Sequence, residues 1–192
     1  MSTRIACIGV VASAVLLSAT AHAGTIADQF RGGAFGLPWS ASANAVQTKY
    51  PNGTWSNDEQ GHKRYCAASR QPLLKLPAQH QTRELCFLMG ADGTLASATA
   101  RLDPTLPALL AVVNRTRTMY GDFDAVRRDT AAIQSRFTYM LWTQDRPYVV
   151  QVGSTNDANG RPSEVTFTVA DDASLHTAGS SAVSNRPVAA NR

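Results

Sequence analysis

The sequence predicts an α+β fold in which an antiparallel sheet, built from hairpins, carries two main helices on one face. Short segments of alternating apolar and polar residues are bounded by Gly, Asn and Asp, as in strands joined by tight turns. Two further segments place apolar residues at helical spacing. The strands follow one another as hairpins instead of alternating with helices, which favours an antiparallel sheet covered on one face.

The first 23 residues have the pattern of an export signal peptide. Arg4 provides a positive start, residues 5–19 are small or apolar, and Ala21 and Ala23 stand at the −3 and −1 positions of a cleavage site. The apolar run is too short to cross a bilayer. We therefore expect cleavage after Ala23, no membrane span, and a mature protein that is periplasmic or secreted.

The rest of the chain is long enough for one domain with its own core. Hydrophobic residues make up 44% of the sequence and charged residues 17%, which is typical of a folded protein. From about residue 172 onward, large apolar residues are scarce. The predicted organisation is a signal peptide at 1–23, a single α+β domain at 24–171 and a disordered tail at 172–192.

The first predicted helix follows a polar lead-in over residues 24–33. Ser42 is placed to cap this helix, which continues over residues 43–50 with Val46 and Tyr50 on one face. The Pro-Asn-Gly sequence that follows ends it.

Strands are predicted at residues 62–69 and on both sides of an Asp-Gly turn within residues 83–101. If the first strand lies beside this hairpin, Cys66 meets Cys86. The last strands are predicted at residues 136–143, 148–152 and 165–169, where large apolar residues alternate.

The second predicted helix begins with Asp103 as its N-cap and Pro104 at its first position, and it ends at Gly121. Residues 122–134 fit either a short helix or a loop. The apolar residues at helical spacing are Leu106, Leu109, Leu110, Val113 and Tyr120.

Two cysteines remain after removal of the signal peptide, and in an exported chain they predict a disulfide. A bridge between Cys66 and Cys86 would contribute roughly 3 kcal/mol in the chain-entropy model. The alternative is a zinc site in which His62 and His80 join the two cysteines.

Charge and motifs exclude several classes of function. The net charge of +4 falls by one with the signal peptide, and basic residues are not concentrated with aromatics on one element, so no nucleic-acid partner is predicted. Neither a nucleophile elbow nor an S-x-x-K motif occurs, and no catalytic residue, metal or cofactor is predicted. The enzymatic alternatives are glycoside cleavage by a pair of acids from among Asp58, Glu59, Glu84 and Glu164, and a metal-dependent hydrolase using His62 and His80.

Four residues are candidates for binding. Trp55 lies among turn residues and is the aromatic side chain most favoured for exposure, whereas Trp39 is expected to lie behind the first helix. Trp142 is expected in the core or against a sheet face. Arg127 and Arg128 are adjacent cations suited to an anionic group, although acidic neighbours would partly neutralise them.

Residues 35–42, FGLPWSAS, resemble a segment that leads into the first helix of a group of small bacterial envelope proteins. Residues 86–89 with 92–95 resemble the central hairpin of that group, and residues 119–121 its Tyr-Gly helix end. The resemblance covers roughly residues 33–169. Ser40 stands where that group has glycine, and the lipidated cysteine of some members is missing.

This resemblance implies a fold similar to that of beta-lactamase inhibitor protein and of small outer-membrane assembly lipoproteins, and it carries over no catalytic residue. We therefore expect an exported non-enzymatic protein that binds another envelope protein, as an inhibitor or an adaptor does. The alternatives are a periplasmic protein that binds a small ligand or lipid, and a metal-dependent envelope hydrolase. The oligomeric state is not predicted.

Overall fold

The computed structural model describes residues 25–58, 61–129 and 136–172. Within these ranges the helices are α1 (Ile26–Phe30), α2 (Ala43–Lys49) and α3 (Leu106–Tyr120), with one 3-10 turn at Ala78–His80. The strands are β1 (Thr54–Asn57), β2 (Lys63–Ala68), β3 (Glu84–Met89), β4 (Leu95–Leu102), β5 (Ala125–Asp129), β6 (Arg136–Trp142), β7 (Tyr148–Asn156) and β8 (Pro162–Asp171). The predicted signal peptide and all but the first residue of the predicted tail lie outside the described residues.

The eight strands form one antiparallel sheet in the order β1-β2-β3-β4-β8-β7-β6-β5. The chain forms a helix and a four-stranded meander twice, first α2 with β1 to β4 and then α3 with β5 to β8. The last strands of the two meanders pair at the centre of the sheet, where Ala100 lies opposite Phe167. The first strands, β1 and β5, are therefore its two edges. This topology confirms the predicted antiparallel sheet of hairpins.

The helices pack on one face of the sheet, as predicted, because that face carries the large apolar side chains of the core. Phe30 of α1 contacts Phe167, with ring centroids 6.5 Å apart. Tyr50, at the end of α2, contacts Phe87 at 4.9 Å. Trp142 is fully buried in the same core, and its indole N–H donates to the carbonyl oxygen of Gly121 at 2.9 Å.

The helix α2 begins where the sequence predicts. The Ser42 hydroxyl accepts a hydrogen bond from the backbone N–H of Ala45 at 3.4 Å. Val46 and Tyr50 are both buried, as their shared face predicts.

The helix α1 lies in the segment that the sequence predicts as a polar lead-in. Ile26 and Phe30 are four residues apart and both are buried in the core. A five-residue helix has little stability of its own, so this burial, rather than local propensity, accounts for it.

The helix α3 begins two residues later than predicted. Thr105, not Asp103, is its N-cap, and the Thr105 hydroxyl accepts from the N–H of Ala108 at 3.3 Å. Asp103 instead forms an ion pair with Arg83, which draws its carboxylate away from the helix.

The buried face of α3 matches the apolar pattern only in part: Val113 lies in the core and Leu109 and Tyr120 pack against it, but the other two leucines face outward. Leu106 and Leu110 are 54% and 51% exposed, whereas Ala108 and Val112 are fully buried. Small residues on the inner face let a helix approach the sheet closely, and this contact outweighs the burial of the larger leucines. None of the described helices is long and apolar enough to cross a bilayer.

Both edges of the sheet lie where the sequence does not predict a strand. Trp55, expected in a loop, belongs to β1 and lies opposite Tyr65 of β2. The strand β5 occupies part of the segment that fits either a short helix or a loop. Both strands are short, with four and five residues, and short segments carry too little alternation to be recognised.

Candidate functional site

The face of the sheet opposite the helices, here called the second face, is formed by the residues that alternate with the core positions. The side chains in the central part of this face are small and polar. Thr99 of β4 lies opposite Thr168 of β8, and their hydroxyl groups form a hydrogen bond at 2.9 Å. On β6 the same face instead carries three large side chains, Phe137, Tyr139 and Leu141.

Phe137 and Tyr139 form an aromatic patch on the second face. Their ring centroids are 4.9 Å apart, and both side chains are half-buried. The Tyr139 ring lies over Gly153 of β7, where a β-carbon would come within 2.6 Å of two ring carbons. Glycine therefore lets this ring rest against the sheet backbone.

Burial, assisted by the negative charge of Glu164, raises the pKa of Tyr139 above its ordinary value. Its hydroxyl group is protonated at neutral pH, as in any tyrosine, and the shift extends that state to a higher pH. The aromatic patch thus offers a hydrogen-bond donor at the end of an otherwise apolar ring.

Only one of the two predicted binding arginines lies beside the aromatic patch. Arg127 of β5 is directly opposite Tyr139 and shares the second face with it. Arg128 lies opposite Thr138 and points to the other face, because side chains alternate along a strand. The two arginines therefore do not form one anion-binding site.

Arg101 joins two carboxylates on the second face. One of its terminal nitrogens donates to Glu84 Oε2 at 2.7 Å, and its Nε lies 2.9 Å from Glu164 Oε1. These residues come from three adjacent strands, β3, β4 and β8. Two of the four acids considered for glycoside cleavage are thus joined through a shared guanidinium group, as in a cross-strand ion network.

Cys66 of β2 and Cys86 of β3 are directly opposite each other on the second face and form the predicted disulfide. Zinc binding requires free thiolates, so the zinc alternative does not apply to this oxidised pair. His62 instead contacts Asp58, with 3.1 Å between Nδ1 and Oδ2. His80 ends the 3-10 turn.

The predicted binding residues Trp39 and Trp55 lie on the helix-bearing side of the sheet. The indole N–H of Trp39 donates to the carbonyl oxygen of Phe30 at 2.7 Å, and its ring stacks on Tyr148 of β7 at 5.6 Å. Trp55 is half-buried in the edge strand β1. Because β1 and β5 are opposite edges of the sheet, the structure does not bring Trp55 together with Arg127.

The aromatic patch is missing from the binding residues that the sequence predicts. Phe137 and Tyr139 alternate with Met140 and Trp142, which pack in the core, so β6 is apolar on both faces. A strand with one face on the core and the other in water usually alternates apolar with polar residues. Apolar residues on both faces of β6 were the signal by which the sequence indicates this patch. Alternation alone does not say which of the two sets of side chains faces the helices.

Comparison of the chain with models of protein families, with curated proteins and with solved structures finds no match. The residues on the surface of this fold are therefore the basis for proposing a function.

Proposed function

We propose that this is an extracytoplasmic, non-enzymatic protein that binds another envelope protein through the second face of its sheet. The observation that carries the proposal is the aromatic patch, Phe137 and Tyr139, with Arg127 directly opposite Tyr139. Aromatic residues and arginine are the side chains most enriched where protein interfaces concentrate their binding energy.

The geometry of the patch favours binding because Tyr139 is positioned in advance. The absence of a side chain at Gly153 gives the ring a fixed seat, and contact with Phe137 limits its motion further. A side chain that is already ordered loses little entropy when a partner covers it. The tyrosine hydroxyl then supplies a directional hydrogen bond at the edge of an apolar contact.

The disulfide supports the proposed location outside the cytoplasm. A disulfide such as Cys66–Cys86 is typical of proteins that fold outside the cytoplasm. The signal-peptide pattern of the first 23 residues and the resemblance to small bacterial envelope proteins support the same location. That resemblance also supports an inhibitor or adaptor type of role.

Site-specific photocrosslinking in the envelope of the native host tests this proposal. A photoreactive phenylalanine analogue is placed at Phe137, and for comparison at Leu110, which is 51% exposed on α3 across the sheet. We expect one crosslinked protein from position 137 and none from position 110. Failure to crosslink at 137, or equal crosslinking at both positions, would contradict the proposal.

A matched pair of charge reversals tests the role of the arginine. Arg127→Glu should abolish the crosslink at position 137, because the charge lies beside the patch. Arg128→Glu makes the same chemical change on the same edge strand but on the other face, and should leave the crosslink intact. Equal effects of the two variants would show that general charge, not the patch, determines binding.

A further inference from the structure

An open groove of about 490 Å³ lies between α2 and the edge strand β1, away from the second face. Its walls are formed by α2 on one side and by β1 and the start of β2 on the other; the lining residues are Ala43, Asn44, Gln47, Trp55, Ser56, Asn57 and Lys63. This volume lies within the range of about 300–1,000 Å³ that is typical of small-molecule sites.

Trp55 is the one aromatic residue among those that line the groove, and two contacts fix its orientation. Its ring packs against Tyr65 with centroids 4.9 Å apart. Its indole N–H donates to Gln47 Oε1 of α2 at 3.3 Å. The side chain is half-buried, so an oriented indole surface remains at the wall of the groove.

The polar groups around this indole are mostly neutral amides. Asn44 and Gln47 come from α2 and Asn57 from β1, and each offers both donors and an acceptor. Lys63 is the single charged lining residue, it is exposed, and it takes part in none of the ion pairs found within the described residues. Since the lining residues include no carboxylate, the groove favours a neutral or an anionic ligand.

We propose that this groove binds an anionic saccharide, a pyranose sugar that carries a carboxylate. The apolar C–H face of the ring lies on the Trp55 indole, and its hydroxyl groups exchange hydrogen bonds with the amides of Asn44 and Asn57. The carboxylate lies near Lys63, where charge attraction selects the acidic sugar over a neutral one. The groove is open, so most of the affinity has to come from these few contacts, and we expect a dissociation constant of about 1 mM.

Titration of the folded protein with two disaccharides tests the proposal. Cellobiouronic acid and cellobiose differ in one carboxylate that replaces a CH₂OH group. Indole N–H signals in proton–nitrogen NMR spectra report on Trp55 directly, and the fully buried Trp142 provides an internal control. We expect the Trp55 signal to shift with about tenfold higher affinity for the acid, and the Trp142 signal to stay in place.

A charge variant that leaves the packing unchanged keeps the test independent of folding. Asn44→Asp adds a carboxylate to the groove in the first turn of α2, where an acidic residue is favourable for the helix. Because the amide of Asn44 also contacts the hydroxyl groups, the variant should weaken binding of both sugars, and that of the acid about tenfold more than that of cellobiose. Asn114→Asp makes the same change at an exposed site on α3 and should alter neither affinity.

Three results would overturn the proposal: a Trp55 signal that does not move at about 20 mM of either sugar, equal affinity for both sugars, or equal effects of the two Asn→Asp variants. Trp55→Phe lacks the reporting indole, so it is followed through the backbone N–H signals of β1, and its smaller aromatic platform should weaken the binding of both sugars. The groove lies on the helix-bearing side at the β1 edge, whereas the aromatic patch lies on the second face near the β5 edge. Failure of the sugar titration therefore leaves the crosslinking test of the proposed function unaffected.

Discussion

Replacement of Gly153 by alanine tests whether a missing side chain gives Tyr139 its seat on the sheet. A β-carbon at Gly153 would lie 2.6 Å from two carbons of the Tyr139 ring and from Thr166 Oγ1. Carbon atoms pack at about 3.5–4.0 Å, so the ring has to move by about 1 Å. Overpacking of this kind costs about 1–3 kcal/mol, of which alanine recovers about 0.5–1 kcal/mol of backbone entropy. We expect Gly153→Ala to lower the free energy of unfolding by about 0.5–2 kcal/mol.

A double-mutant cycle with Tyr139→Ala isolates the contribution of the ring. Once the ring is removed, the remaining obstacle is the Thr166 hydroxyl, which belongs to a short side chain that can rotate away. In that background Gly153→Ala should be neutral or stabilising by up to about 1 kcal/mol, which gives a coupling of about 0.5–3 kcal/mol. Urea denaturation followed by tryptophan fluorescence, to which the buried Trp142 contributes, measures each unfolding free energy. An equal loss of stability in both backgrounds would refute the reasoning, because the ring would then not be what the new methyl group displaces.

Three further predictions concern stability. Replacing both Cys66 and Cys86 by alanine should lower the free energy of unfolding by about 3 kcal/mol, because the bridge spans a sequence separation of 20 residues; urea curves that coincide with the wild type would contradict this. Val112→Ala should lower the free energy of unfolding, measured by thermal denaturation, by about 2 kcal/mol, because the side chain is fully buried. Leu110→Ala, at a 51% exposed position, should lower it by under about 0.5 kcal/mol. The opposite order would mean that the other face of α3 packs on the sheet. Burial raises the pKa of Asp124, but hydrogen bonds from the start of the β6–β7 turn outweigh it and hold this pKa below its ordinary value. The ionised carboxylate therefore stabilises the fold above about pH 4, and this contribution is lost as the pH falls through the lower folded-state pKa. Asp124→Asn should therefore flatten the acid limb of the unfolding free energy against pH, and an unchanged limb would count against the assignment.

The strands around the disulfide could be predicted because two independent signals agree there. A turn rich in Asp and Gly sets the register of the β3–β4 hairpin, and the two cysteines require β2 to lie beside it. The observed register places Cys66 directly opposite Cys86. Local turn chemistry and one long-range covalent contact were enough to order β2, β3 and β4, but not the edge strand β1.

The buried face of α3 could be predicted only in part, because residue size and burial disagree at two of its leucines. Leu106 and Leu110 are the larger apolar residues, and hydrophobicity alone places them inside. The sheet instead receives Ala108 and Val112, because a close approach of helix and sheet requires small side chains at the contact. The distance between helix and sheet depends on the side chains of both, and the sequence of the helix specifies only its own.

Neither the strand that contains Trp55 nor the orientation of the aromatic patch could be predicted, for a related reason. Trp55 has the flanking residues of a loop, yet pairing with β2 turns its segment into an edge strand and half-buries the indole. On β6 both alternating sets are apolar, so the pattern does not decide whether Tyr139 or Trp142 faces the core. The neighbouring strands decide it: Trp142 lies opposite Val150 of the core, and Tyr139 lies opposite Gly153. Information of this kind exists only once the sheet is assembled.

The two halves of the sheet use the second face differently. In the first half it carries the disulfide and an ion pair between Glu84 and Arg101, contacts that hold adjacent strands together. In the second half it carries the aromatic patch, which is half-buried and therefore retains surface for a partner. The groove beside Trp55 opens from the opposite side and at the opposite edge. A protein on the patch and a sugar in the groove would therefore not compete for the same atoms, so the two proposals predict that both can be bound at the same time.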